Sequence, residues 1–197
     1  MTEASFAVEL ARKALEHFVN TGEKLDPHEI PEEFRRKHGV FVTIKAYPDD
    51  ILRGCIGFSD AIYPLYQAII EAVIAAAEDP RFEPIKEEEL PNITLEVSIL
   101  TPPELLGEKR EDYPKKVKIG KDGLIVRKGN ASGLLLPQVA VEHDMEPIKF
   151  LESACTKAGL PISAWTEPDV EVWKFQADIW AEMKPNGEIA YKEFKKS

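Results

Sequence analysis

Little in this 197-residue chain points to an oxidising compartment or a membrane. Cysteine occurs only twice, as Cys55 and Cys155, with no CxxC pair. That excludes a disulfide framework and favours a reducing cytosol. The four histidines are scattered without a ligand-spaced pair, so no metal site is read. No apolar run is long enough to span a bilayer, since even Ala68 to Ala77 is interrupted by Glu71. Met1-Thr2-Glu3-Ala4-Ser5 carries neither a basic n-region nor an apolar h-region, so no signal peptide is read and a cytoplasmic location is expected. Positive charge is in short supply: 25 Lys and Arg face 35 Asp and Glu, a net charge of −10. Such a field repels nucleic-acid phosphate and anionic lipid, so binding to either is disfavoured. Asn and Gln are scarce as well. With Glu and Lys dominating the charges, the composition is thermophile-like.

What is present fits one domain, or one domain with two lobes. Apolar residues make up 44% and charged residues 30%, a globular balance. Phe6, Leu10, Ala14 and Phe18 recur at helical spacing and predict a helix from Ala4 to Val19, stopped near Gly22. A charged, proline-punctuated connector leads to two strand-like runs, Val40 to Ala46 and Ile51 to Phe58, joined as a hairpin by Pro48-Asp49-Asp50. A helix over Tyr63 to Glu78 is expected next, capped by Ser59 or Asp60 and ended by Asp79-Pro80. Ile93 to Ile99 alternates apolar and polar residues, the pattern of a half-buried strand. Pro102-Pro103 and the charged stretch to Lys116 mark a lobe boundary, with a smaller lobe expected over about 101–136. Val117 to Ile119 and Leu124 to Lys128 flank Lys121-Asp122-Gly123, a hairpin signal. Gly129-Asn130 then turns into a strand over Ser132 to Leu136, and a short helix from Pro137, a helix opened by Pro147 and capped by Gly159, and a strand over Glu171 to Trp180 follow, then a basic tail. There is no regular βαβ rhythm. The expected fold is therefore α+β: a two-lobed mixed fold with a largely antiparallel sheet and flanking helices.

The chemistry concentrates at Arg53-Gly54-Cys55-Ile56-Gly57. Strand alternation puts Leu52, Ile56 and Phe58 on one face, and Arg53, Cys55 and Gly57 on the other. A guanidinium roughly 6.5–7 Å away would favour the Cys55 thiolate and lower its pKa by about one unit from about 8.5. Cys55 then becomes a candidate nucleophile, with Gly54 and Gly57 allowing close approach of a ligand. The opposing reading is a small packed cysteine between tightly packed glycines. Cys155 belongs to a stripe of Ile148, Leu151 and Ala158 and is expected in the core. A Cys55–His143 dyad is the weaker catalytic option, because Gln138, Glu142 and His143 on one turn of helix read as a solvated face. Arg81 either satisfies the end of the preceding helix or binds an anion. Should the Glu96 strand neighbour the Cys55 strand, Glu96 would pair with Arg53 and cancel part of the thiol activation.

Leu52-Arg53-Gly54-Cys55-Ile56-Gly57 resembles the signature of the AMMECR domain family. Asp79-Pro80-Arg81-Phe82, Leu90 to Leu100, Asp122-Gly123-Leu124, Leu136-Pro137-Gln138-Val139-Ala140 and Lys157-Ala158-Gly159-Leu160 with Trp165 agree in the same order. The resemblance spans nearly the whole chain, is to the compact stand-alone prokaryotic form, and implies a single domain over residues 1–197. It further implies a two-lobed α+β fold and a cytosolic setting. Through the company that relatives keep, it implies a Memo-type protein or a radical-SAM protein as partner. It names no reaction and no cofactor. The leading expectation is an enzyme or small-molecule-binding subunit with its site between two lobes. Cys55 would be its reactive or contacting group, Arg53 and Arg81 its anion-binding groups, and Gln138 and Glu142 its supporting groups. A non-catalytic protein-interaction adaptor is the alternative, and RNA binding ranks last. Oligomeric state is not legible.

Overall fold

The first helix, α1 (Glu3–Thr21), forms because Ala7, Leu10, Ala11, Ala14 and Leu15 make one apolar stripe at helical spacing, and all are buried. Gly22 ends it at φ +73°, a left-handed conformation open to glycine, and donates its N–H to the Phe18 carbonyl at 2.7 Å. The computed structural model describes residues 3–192 and is α+β, with a largely antiparallel sheet flanked by helices. It divides into two units, one holding the chain up to Leu100 together with Asp178–Lys192, the other Thr101–Ala177.

In the first unit β1 (Gly39–Ala46) and β2 (Ile51–Phe58) form the expected hairpin, and β3 (Ile93–Leu100) pairs with the other edge of β1, all antiparallel. The end of β7 (Glu171–Glu182) continues this order, and β8 (Ile189–Tyr191), which sequence reasoning missed, pairs with it. Val40, Val42 and Ile44 of β1 and Ile93, Leu95 and Val97 of β3 pack with α1 and α2 (Leu65–Ala77) in one core. Ser59 and Asp60 do not cap α2. Its N-cap position is Pro64, and the Leu65 N–H is satisfied by the Arg36 carbonyl of the connector at 2.9 Å. The expected half-burial of β3 also fails, because Thr94, Glu96 and Ser98 on its polar face are as buried as the apolar residues.

The second unit holds β4 (Glu104–Leu105), α3 (Tyr113–Lys116), β5 (Asp122–Lys128), β6 (Ala131–Leu135), α4 (Pro137–Glu142), α5 (Pro147–Lys157) and the first part of β7. Val117 to Ile119 is not a strand. The Asp122 carboxylate accepts the Lys118 N–H at 2.9 Å and closes a tight turn there, and the hairpin forms at Gly129-Asn130 between β5 and β6. Leu151, Cys155 and Ala158 are buried as expected, whereas Ile148, in the first turn of α5, stands 52% exposed. The last residues of the basic tail, 193–197, lie outside the described residues.

Candidate ligand site on the Cys55 face of the sheet

The register of β2 departs from simple alternation. Gly54 pairs with Ile44 but Leu52 pairs with Lys45, so Arg53 is the extra residue of a β-bulge. A bulge moves everything before it to the opposite face. Leu52 therefore joins Cys55 and Gly57, while Gly54, Ile56 and Phe58 face the helices with Val40, Val42 and Ile44. The Cys55 face is a grid: Thr94, Lys45 and Leu52 in one row, Glu96, Thr43 and Cys55 in the next, then Ser98, Phe41 and Gly57.

The two signature glycines have their close neighbours within the protein. An ideal Cβ on Gly54 would lie 2.0 Å from the Ala76 carbonyl oxygen at the end of α2. On Gly57 it would lie 2.1 Å from the Val40 carbonyl oxygen and 2.6 Å from the Phe41 ring. Gly54 lets the helix seat on the strand, and Gly57 makes room for β1 and its aromatic ring.

β2 is the edge of this order, and at Cys55 the Asp79-Pro80-Arg81-Phe82 block covers that edge. Asp79 Oδ2 accepts the Cys55 N–H at 3.0 Å, and Arg81 Nη2 donates to the Cys55 carbonyl at 3.2 Å. Arg81 also donates to Asp79 through Nε at 2.9 Å and Nη2 at 2.6 Å. Hydrogen bonding from Arg81 holds the buried Asp79 carboxyl well below the usual carboxylate range, and Asp79 raises Arg81 in return. Arg81 thus pairs with a carboxylate and a strand carbonyl, with its side chain still 53% exposed.

Arg53 does not activate the thiol. Its guanidinium forks onto Glu89 at 2.8 and 3.0 Å, donates to the Glu83 carbonyl at 3.2 Å and lies over the Phe82 ring. The Glu89 hydrogen bond raises Arg53 and lowers Glu89. The condition for a Glu96–Arg53 pair is not met, because β1 separates β3 from β2. Cys55 Sγ accepts a hydrogen bond from Thr43 Oγ1 at 3.3 Å. Burial pushes its pKa up, opposite to the sequence expectation. The Thr43 hydrogen bond and Arg81 act downward and Glu96 and Asp79 upward, and no histidine contributes.

Sequence reasoning missed Thr43, Lys45 and Lys192. Glu96, only 4% exposed, receives Lys192 Nζ at 2.9 Å and Lys45 Nζ at 3.5 Å on the same oxygen, Oε2. The signal for Thr43 and Lys45 lay in the alternation of Val40-Phe41-Val42-Thr43-Ile44-Lys45. Lys192, in the basic tail, carried none.

Gln138 and Glu142 belong to α4 in the second unit. Gln138 is buried with its Oε1 unpartnered, Glu142 is exposed, and His143 is exposed at the end of the helix. An open pocket of about 490 Å³ in that unit is lined by Thr101, Glu104, Asp122, Lys174 and Phe175 among others, and by none of the residues singled out from the sequence. Among the described residues no group of three or more His, Cys, Asp or Glu could hold a metal ion. No described helix is long and apolar enough to cross a membrane.

The AMMECR1 family model matches residues 8–180, from within α1 to most of β7. The chain belongs to the AMMECR1 family. Protein PF1979 of Pyrococcus furiosus is 51% identical over 192 residues, spanning 95% of this chain and 91% of that protein. Protein MK0488 of Methanopyrus kandleri is 47% identical over 96% of this chain and 93% of its own. The crystal structure of uncharacterized protein PH0010 from Pyrococcus horikoshii superposes with a TM-score of 0.92 at 49% identity, covering 96% of both chains. These similarities carry the family and the fold and name no reaction.

Proposed function

We propose that this AMMECR1-family chain is a small-molecule-binding subunit whose site is the Cys55 face of the sheet, with Cys55 as a contacting thiol rather than a thiolate nucleophile. One observation carries the reading. The thiol, bonded to Thr43, lies on the sheet face that also carries Lys45 and the Glu96 carboxylate that Lys192 reaches, yet burial favours its neutral form. A neutral thiol held by Thr43, on a strand whose main chain is clamped by Asp79 and Arg81, has the rigidity of a binding surface. Arg81, still half exposed, is available at the margin of that surface, whereas Arg53 is committed to Glu89. Gln138, with its buried unpartnered oxygen, and Glu142 belong to the second unit and do not enter this reading. Reaction chemistry would then come from a partner, and a Memo-type or radical-SAM protein is the one that the family resemblance implies.

The test is the pH dependence of iodoacetamide labelling of Cys55 in the native protein, followed by native mass spectrometry after incubation with a metabolite extract. The expected midpoint lies above the ordinary cysteine value of about 8.5, with a bound small molecule retained by the wild type. A midpoint near 7 or lower would return Cys55 to the role of nucleophile.

A further inference from the structure

Glu96 sits on the polar face of a central strand, 4% exposed, in a position where an apolar side chain would pack without desolvating a charge. Both ammonium groups that reach it use the same oxygen, so two like charges are held side by side by one carboxylate. Their side chains keep 22% and 33% exposure, whereas the carboxylate side chain keeps 5%. Lys45 and Lys192 share the one Glu96 carboxylate, whereas Arg81 is matched by Asp79. Two convergent ammonium donors with spare hydrogens present a ready receptor for oxygen anions.

We infer that Lys45 and Lys192, presented by Glu96, bind the anionic group of a compact ligand, a small carboxylate or a phosphate monoester, with Cys55 and Thr43 alongside it. The inference rests on the binding-subunit reading and deepens it. A neutral Cys55 suits this arrangement, because a thiolate in the same row would repel the ligand. Glu96 acts as the counter-charge that keeps the lysines together when the site is empty. Its removal is therefore expected to strengthen anion binding, whereas a purely structural Glu96 would have no such effect.

The test is an NMR titration of the full chain with inorganic phosphate and, separately, succinate, at ionic strength fixed with potassium chloride. Adenosine and spermidine serve as uncharged and cationic probes. Support consists of saturating amide shifts at Lys45, Cys55, Glu96 and Lys192 with phosphate or succinate, but not with chloride alone. The probe that saturates identifies the anion class. The Lys45→Gln/Lys192→Gln double variant is expected to weaken binding at least about tenfold, and Glu96→Gln to tighten it. Should the double variant not fold, Lys192→Gln alone supplies the comparison, its side chain being one-third exposed. Shifts at these residues with adenosine or spermidine only would overturn the anion inference and leave the binding-subunit reading standing. An equal response to chloride would also overturn it, as simple screening. No response to any probe would remove both.

Discussion

At Cys55 three small facts fix the behaviour of one side chain: a hydrogen bond from Thr43, burial, and a main chain held at both ends by Asp79 and Arg81. Cys55→Ser keeps an acceptor for the Thr43 hydroxyl, so its melting temperature is expected to stay within a few degrees of the wild type. Cys155 is fully buried and burial raises its pKa too, so alkylation of the folded protein should report on Cys55 first. Asp79 has the opposite sign. Its folded pKa is depressed, so its stabilisation is complete above the unfolded value of about 3.9 and is lost as pH falls below that. Urea midpoints measured at pH 7 and pH 3 should therefore fall less in Asp79→Asn than in the wild type. Asp79→Ala, which leaves the Cys55 N–H without its acceptor, is expected to cost about 1–3 kcal/mol at neutral pH. The glycines separate packing from binding. Gly54→Ala places a methyl against the Ala76 carbonyl, and a loss of about 1–3 kcal/mol or more is expected by thermal denaturation. The nucleophilic residue type was visible in the Arg-Gly-Cys-Ile-Gly run. The partner of Arg53 was not, because Glu89 is 36 positions away and the bulge at Arg53 redirects the strand before it.

Elements are joined in the first unit by a buried ion pair that the sequence did not reveal. Arg12 of α1 pairs with Glu182 at the end of β7 and donates to the carbonyls of Leu90 and Ile93, while Glu182 accepts the Leu95 N–H at 3.0 Å. One carboxylate thereby ties the helix to two strands. Glu182→Ala leaves the buried guanidinium with only Glu16, at 4.0 Å, as a carboxylate partner, and an equilibrium unfolding loss of about 3–5 kcal/mol is expected. Replacing both partners with apolar residues, as in Arg12→Met/Glu182→Leu, should recover most of it. Recovery of nothing would show that the hydrogen bonds to the strand main chain matter more than the charge pair. In the second unit Gly133 plays a role like that of Gly54: its ideal Cβ lies 2.3 Å from the Ala158 nitrogen, at the end of α5.

On the scale of the whole molecule, charge governs association. The chain carries −10 at pH 7 with a sequence pI near 5.0, so solubility should fall as pH approaches 5 and recover on the acid side only while the fold survives. The same field predicts passage through a heparin column at low ionic strength; retention would revive the nucleic-acid reading that the charge disfavours. The ligand inference does not conflict with this. A compact anion meets the local Lys45–Lys192 pair, whereas a polyanion must also face the net charge of −10 carried by the whole chain.

By itself the sequence determined the periods, the breaks and the family. Helical spacing in α1, the hairpin around Pro48, the stop at Asp79-Pro80 and the signature around Cys55 all depend on residues a few positions apart. Backbone preference acts over that range. Tertiary structure decided register and charge partners. The bulge that carried Leu52 to the Cys55 face, the commitment of Arg53 to Glu89, and the meeting of Lys45 and Lys192 at Glu96 each depend on pairing between distant segments. The direction of the Cys55 pKa followed from the same cause. Neighbouring charge on the strand predicted a lower value, but the burial that outweighs it is created only when the sheet and helices assemble.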